Sequence, residues 1–509
     1  MGSIARFNST TFRKSFFGGV IAFTVAVEIR AAIDPAESTL SRWVHLVVPV
    51  KRHELLTVAL LALNCFILLT CYYVLKVVRE PLILLGGGAE LKAYASAGQT
   101  ILLLGVVPAF SWLSGRVSRI RLMTTMQIIF IGCLVGFYVL AQAKAPIGLA
   151  FYLWVGIFNV LVISNFWSFA NDLYTEEEGK RLFAVIGIGA SIGAVIGAFV
   201  PHMLHAVLGI HGLMLIAVTG LGVSIFLYQI VDRRELAKKN EVAVVKKDQP
   251  AAQVHDKKGG FALVIRDKYL RLMAGMLLVA TVVNSVGEYV IGKLAVEHAG
   301  EYADKKLARE AAAPTPDPKV DPKATSATDQ QTKDARAAAK DEYITTFYSS
   351  YYTVVNIVSA LLQALIVARL LVALGVRRSL FIMPLIVLGG WFALAMFVNI
   401  TLVRVEKTTE NSLDYSLHNT LRQALFLPTS AEAKYKAKAA IDTFFFRMGD
   451  VIAGIGIVLL FNRVFHLGTR SFAILNVALT LVWLWLVYRT GKLHDKLVAE
   501  QKAAEPAAT

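Results

Sequence analysis

The feature that most constrains this chain is a series of apolar blocks, each about 20 residues long, recurring between residues 55 and 489. A helix of about 20 apolar residues spans the hydrocarbon core of a bilayer, and helices satisfy all their backbone polar groups internally there. Composition agrees: 56% of residues are hydrophobic and 17% charged, where a soluble protein carries about 25% charged residues. Soluble enzymes, nucleic-acid binders and disordered scaffolds are excluded. The expected fold class is an all-α polytopic membrane protein whose constant partner is the lipid bilayer.

Twelve spans are expected, at about 55–78, 93–113, 122–142, 148–171, 182–206, 212–231, 270–294, 344–371, 379–399, 407–427, 438–462 and 471–489. The tenth is weak by hydropathy and is kept because its polar residues repeat at helical spacing. The stretch 16–27 is apolar but short, and Glu28 and Arg30 follow it. It reads as an interfacial helix rather than a signal peptide.

Loop charge sets the orientation. The loops after even-numbered spans are basic, as at Arg116, Arg119 and Arg121, at Arg377 and Arg378, and at Lys434, Lys436 and Lys438. Positively charged loops stay cytoplasmic, so both termini are expected on that side. This bias also absorbs most of the net charge of +16, and no nucleic-acid partner is implied. The basic segment 232–268 divides the chain into six-helix halves, 54–231 and 269–490, between a cytoplasmic or interfacial segment 1–53 and a cytoplasmic tail 491–509. The long, near-neutral loop 297–342 is expected outside, mobile, with some helix near Ala311 and Ala337. A trace of repetition supports the division. Lys180 precedes Gly193 by 13 residues, as Lys436 precedes Gly449.

Charges inside a bilayer are costly, roughly 2.5–3.5 kcal/mol each on insertion scales, so they face a bundle interior or a water-filled cavity. Span one carries Asn64, Tyr72, Lys76 and Arg79. Span four carries Ser164, Ser168, Asn171 and Asp172, and span seven carries Asn284, Ser285 and Glu288. Span ten carries Lys407, Asn411, Asp414, His418 and Arg422. The steps of four, three, four and four in the last set describe one helix face. One polar stripe per three helices resembles the major facilitator architecture, whose corresponding helices line a central cavity. Blander readings remain open: Lys76 and Arg79 as snorkelling residues, Glu288 as a structural partner of Lys293 or Arg79, and Arg447 with Asp450 as a buried ion pair.

Other motifs lead nowhere. Gly187, Gly189 and Gly193 have the wrong spacing for a dinucleotide loop and suit close helix packing. Cys65, Cys71 and Cys133 lie inside apolar blocks without metal spacing. His202, His205 and His211 read as helix-end residues. No catalytic constellation, metal site or cofactor site is expected.

Several segments together resemble nucleotide transporters of the ATP/ADP translocase type. They are Leu75-Lys-Val-Val-Arg79-Glu80-Pro-Leu-Ile-Leu with Gly88-Ala-Glu90; Phe166-Trp-Ser-Phe-Ala-Asn171; Glu406-Lys-Thr-Thr409 through Tyr415-Ser; Leu427-Pro428; and Lys436-Ala-Lys438-Ala-Ala-Ile-Asp442. They run in order over about residues 49–490. The resemblance implies a major-facilitator-like fold, a bacterial cytoplasmic membrane and exchange of ATP for ADP. By alignment, Arg79 matches a functional Lys of the family's first helix, Glu288 its second-half acid, and Lys436 or Lys438 its late Lys. Val155 stands where the family often has an acid.

The sequence thus points to a monomeric carrier of a nucleotide or other small anion. Its candidate binding residues are Tyr72, Lys76, Arg79, Asn171, Asn284, Glu288, Lys407, Asp414, His418, Arg422, Lys436 and Lys438. Tyr72, Phe166 or Trp167 would stack on a base. Two other readings stay open: a major-facilitator carrier for another small anionic metabolite, proton-coupled through Glu288, and a non-transporting membrane subunit.

Overall fold

A computed structural model describes residues 52–114, 116–117, 119–174, 176–241, 257–311, 325–429 and 437–504. The expected interfacial helix at 16–27, Lys434 and Lys436 fall outside them. Among the described residues the regular structure is entirely helical, and twelve legs follow one another. Arg52–Ser114 bends at Gly87 and Gly88 into α1 (52–86) and α2 (89–114). Then come α3 (Arg119–Gln142) and α4 (Gly148–Leu173). Glu176–Glu241 bends at Gly209 into α5 (176–208) and α6 (210–241). Gly88 and Gly209 have φ of 73° and 64°, a left-handed conformation that glycine adopts without steric cost and that reverses the chain here.

The second half opens with a short helix, Lys257–Arg266, and α7 (Lys268–Ala311). Next, α8 (325–374) runs from Thr325–Leu362 through a π turn, and α9 is Ile382–Met396. The tenth leg, α10, joins Ile400–Leu413, a π turn at Asp414–His418 and Asn419–Ala424. α11 (438–464) holds three π turns, and α12 is Thr469–Ala504. Among the described residues seven helices, two of them the kinked pairs, are long and apolar enough to cross a membrane by length and composition. The broken, polar α10 and α11 are not among these.

Two boundaries differ from expectation. α10 begins at Ile400, a full turn and more before the expected 407, because Asn399 caps it by accepting a hydrogen bond from the Thr401 amide at 2.7 Å. The described part of the segment 297–342 is helix, at Ala311 and Ala337 as expected and well beyond them. It extends α7 to Ala311 and begins α8 at Thr325, and the two arms are tied by Lys306–Glu342 at 2.6 Å and Arg336–Asp304 at 2.9 Å.

One apolar cluster draws only on residues 58–231. The other is built from residues 264–487 together with Tyr73, Val77, Ile83, Leu84, Ala89 and Ala95 around the α1/α2 bend, Tyr152 of α4, and Ala194 and Ala198 of α5. Of the glycines expected to pack closely, Gly187 faces open space, whereas Gly189 and Gly193, continued by Gly197, do so. Gly189, Gly193 and Gly197 lie against the carbonyls of Ala62, Phe66 and Thr70, so α5 packs on α1 with no room for a Cβ. Gly449 lies in the same way against Thr281 and the Leu278 carbonyl, between α11 and α7.

The side-chain hydrogen bonds between the two halves gather toward one end of the bundle, the end of the odd-to-even turns. Ser349 donates to the Ala198 carbonyl at 2.5 Å and Asn356 to the Ala194 carbonyl at 3.1 Å. His205 meets Asp341 at 2.9 Å, and Tyr289 and Asn462 both donate to Glu90 at 3.1 Å. At the opposite end the described side-chain bonds stay within one half, as in Thr57 to Glu235 and Arg377 to Asp495, both 3.0 Å.

Candidate functional site

Below this sealed end, the halves line a cavity of about 170 Å³ that opens to solvent. α1 supplies Lys76 and Arg79, α2 supplies Lys92, and α4 supplies Tyr152. Opposite stand Asn284, Ser285, Glu288 and Tyr289 of α7, Tyr352 of α8, Asn411 and Tyr415 of α10, and Asp450 of α11. Three cations and two carboxylates therefore face one space.

A chain of alternating charges runs through the wall from one half to the other. Glu80, fully buried, holds Arg79 at 2.9 Å and Lys92 at 2.8 Å, and accepts from the Tyr352 hydroxyl at 3.1 Å. Lys92 continues to Glu288 at 3.3 Å. Glu288 accepts from the Asn411 amide at 3.2 Å and lies 3.7 Å from Lys407, which donates to Glu410 at 2.9 Å. Buried charges persist only when paired and hydrogen-bonded, and each of these has at least one opposite charge within 4.0 Å.

Lys76 is the exception. Among the described residues no carboxylate lies within 4.0 Å of its ammonium, although the residue is only 7% exposed. It donates to the Tyr415 hydroxyl at 3.3 Å and sits over the Tyr352 ring, 4.2 Å from its centroid, with Tyr73 and Tyr415 at 5.2 and 5.6 Å. Cation–π contact offsets part of its desolvation, about 0.5–2 kcal/mol, and leaves the charge itself unneutralised. Arg79 lies over Tyr152 at 4.5 Å. The Tyr415 side of the cavity is the open one, since Tyr415 is 40% exposed.

Of the residues predicted from sequence, Lys76, Arg79, Asn284 and Glu288 line the cavity. Lys407 stands one layer behind, fully buried against Asn284 and Glu288. The other predicted positions lie elsewhere, for identifiable reasons. The stripe of α10 assumed a regular α-helix, and the π turn at Asp414–His418 inserts extra backbone into one turn. Asn411 therefore lines the cavity, Tyr415 follows it there in place of Asp414, and His418 turns away to pack edge-on against Trp483. Arg422, about 16 Å further along α10 from Asn411, bonds Asn419 at 3.0 Å and faces Asp442 at 3.9 Å. Lys438 joins that same end, bonded to Gln423.

Asn171 is exposed, about 28 Å along α4 from Tyr152. Tyr72 packs between the two apolar clusters rather than on the cavity wall. Phe166 is fully buried in the first cluster with the half-buried Trp167 packed against it, and neither lines the cavity. Arg447 and Asp450 form no ion pair within 4.0 Å; Asp450 accepts from Ser285 at 2.5 Å instead. The partners of Glu288 are Lys92 and Lys407 rather than Lys293 or Arg79.

Sequence reasoning passed over Glu80, Lys92, Tyr152, Tyr352 and Tyr415. Lys92 lies four residues beyond Gly88, where it reads as a loop charge. Glu80 follows Lys76 by four, one helical turn, which was the available signal. The tyrosines look like ordinary members of apolar spans.

The sequence and fold have relatives. The family described as TLC ATP/ADP transporter matches residues 149–290 and 386–496, about half of the chain. The chain belongs to the TLC ATP/ADP transporter family. Over 297 residues it is 26% identical to the protein named ADP,ATP carrier protein 2 of Chlamydia trachomatis serovar D, a match covering 45% of this chain and 53% of that one. The chain thus spans about half the length of this curated relative.

Among solved structures, similar ones include the nucleoside transporter NupG, with TM-score 0.55 and 11% identity over 85% of this chain and 98% of that one. A POT family transporter in complex with 5-aminolevulinic acid gives 0.56 and 13%, covering 85% and 96%. A bacterial homologue of the iron transporter ferroportin in an inward-facing state also gives 0.56 and 13%, covering 86% and 99%. At these identities the likeness concerns the fold, a multi-pass, major-facilitator-like helical bundle. The two segments that match the TLC ATP/ADP transporter family contain Tyr152, Asn284, Glu288, Asn411, Tyr415 and Asp450. The three cations of the wall, Lys76, Arg79 and Lys92, lie outside them.

Proposed function

We propose that this protein carries a nucleotide across the membrane by counter-exchange, with the phosphates bound at the Lys76–Arg79–Lys92 wall. The observation that carries the reading is Lys76, a buried cation on the cavity with no carboxylate within reach. Arg79 and Lys92 are held ready by Glu80 and can exchange part of that pairing for phosphate oxygens. Arg offers a bidentate fork and Lys a compact point charge. Tyr415, the most open ring of the wall, is the surface on which a base would stack.

Exchange follows from electrostatics. An empty site leaves Lys76 unneutralised, and moving an unpaired charge through a closed, dry intermediate is expensive. A bound anion removes that cost, so the loaded carrier reorients and the empty one does not. Reorientation would break the Ser349, Asn356, His205 and Glu90 bonds at the sealed end and bring the other ends together, the two halves rocking about a central site. With basic loops cytoplasmic, the open end faces the cytoplasm.

The test is uptake into proteoliposomes. Labelled ATP or ADP should enter vesicles preloaded with unlabelled nucleotide and not enter empty ones. Uptake of another small organic anion with no response to nucleotide would establish a different cargo. No uptake of either would favour a non-transporting role.

A further inference from the structure

A second group of charges lies behind the cavity wall, and the exchange reading leaves part of it unused. Glu406 and Glu410 sit one turn apart on α10 and are 4% and 1% exposed. Residues four apart on a helix are neighbours, with Cβ atoms about 5–6 Å apart. Among the described residues Lys407 is the one cation within 4.0 Å of either; it contacts Glu410 at 2.9 Å and is shared with Glu288. Glu406 Oε1 and Glu410 Oε1 are buried and have no hydrogen-bond partner.

Among the described residues, the elements around the pair place no further cation within 4.0 Å of it. α9 has no ionisable side chain and presents Gly390, whose missing Cβ is the space the Glu406 carboxylate fills, next to the buried Trp391. α7 presents Asn284 and Glu288, and α8 presents the Tyr351 hydroxyl, which donates to the Lys407 carbonyl at 3.3 Å. α10 itself adds Asp414 on the side of Glu410. Two carboxylates this deeply buried against one shared ammonium cannot both be ionised at acceptable cost. Neighbouring carboxylates resolve this conflict by sharing one proton.

We propose that Glu406 and Glu410 together hold one exchangeable proton, and that this proton couples the carrier to a pH gradient. The coupling part rests on the anionic cargo proposed above. Phosphates arriving at Lys92 compete with Glu288. Glu288 then draws on Lys407, its other cation, and Lys407 is the ammonium that stabilises Glu410. Loading of the anion therefore favours the protonated pair, and unloading returns Lys407 to Glu410 and releases the proton. The step is a carboxylate plus a proton giving a carboxylic acid, with the proton taken from the aqueous phase and returned to it.

Two measurements test this. The first needs no cargo: infrared spectra of the purified protein at neutral pH should contain a protonated-carboxyl C=O stretch that is missing from Glu406→Gln, where one remaining carboxylate balances Lys407. Glu410→Gln creates the same balance and serves if Glu406→Gln does not fold. A band of equal strength in both variants, or none in the wild type, overturns the proposal. The second is transport. One proton per cargo sets a limiting accumulation of about tenfold per unit of imposed pH difference. Wild-type vesicles with internal counter-nucleotide should respond in that sense, and Glu406→Gln should exchange without responding. An equal response in both overturns the coupling. Absence of any nucleotide uptake would refute the nucleotide reading, and the infrared band would still decide the proton site.

Discussion

Lys76→Gln separates binding from folding because its two effects have opposite signs. In the empty protein Lys76 is a buried ammonium with three aromatic neighbours, one hydroxyl and, among the described residues, no carboxylate within 4.0 Å. Removing its charge relieves desolvation and forfeits cation–π contacts worth about 0.5–2 kcal/mol, so the empty variant should melt at the wild-type temperature or above it. The bound state loses a charge-assisted hydrogen bond to phosphate, about 1.5–3 kcal/mol, which is roughly ten- to hundredfold in affinity. Arg79→Gln should differ. It breaks the buried 2.9 Å pair with Glu80 and should lower the melting temperature as well as the affinity. The assay is titration of purified protein with ATP, ADP, AMP and adenosine, beside thermal melts without ligand. The loss for Lys76→Gln should be largest for ATP and vanish for adenosine. Equal losses for ATP and adenosine would refute the argument, as would marked destabilisation of the empty variant.

Other residues give independent expectations. Glu288→Gln removes the carboxylate that competes with phosphate for Lys92; nucleotide binding should tighten severalfold while exchange slows severely, and wild-type exchange would take Glu288 out of the mechanism. Gly193→Leu drives a side chain into the Phe66 carbonyl and should cost about 1–3 kcal/mol through overpacking, read as a lowered melting temperature. Arg422→Gln, at the far end of α10, should leave nucleotide affinity within twofold of wild type, and a tenfold loss would bring that end into the site. Cysteines introduced at Val245 and Val320 should label from opposite faces of the membrane, with 245 cytoplasmic; labelling of both from one face would contradict the twelve-leg topology.

The fold was legible because the bilayer enforces a coarse rule. Apolar length fixes the spans, and all twelve expected segments correspond to helical legs. The Gly189, Gly193 and Gly197 contacts with α1 were legible too, since small residues at a spacing of four mark close helix packing. The lining of the candidate cavity was half legible. Lys76, Arg79, Asn284 and Glu288 could be found because a charge or amide in an apolar span needs a reason. Asp414, His418 and Arg422 lie off the cavity because the stripe argument assumes an uninterrupted 3.6-residue period, and the π turn in α10 has no signature in its Asp-Tyr-Ser-Leu-His sequence. Lys92 was missed because a span boundary drawn at residue 93 leaves it outside, whereas α2 begins near residue 89 and carries it inside. The Glu406–Glu410 pair was hidden in plain view: one residue sits before the expected start of span ten, and the extra turn from Asn399 brings it into the helix.

The central claim is that the phosphates of a nucleotide sit between Lys76, Arg79 and Lys92. A cryo-electron microscopy map of the protein with ADP tests it directly. The account predicts phosphate density within hydrogen-bond distance of all three cations, with the base toward Tyr415. Phosphate density at the far end of α10, beside Arg422 and Lys438, with the Lys76 wall empty, would contradict it.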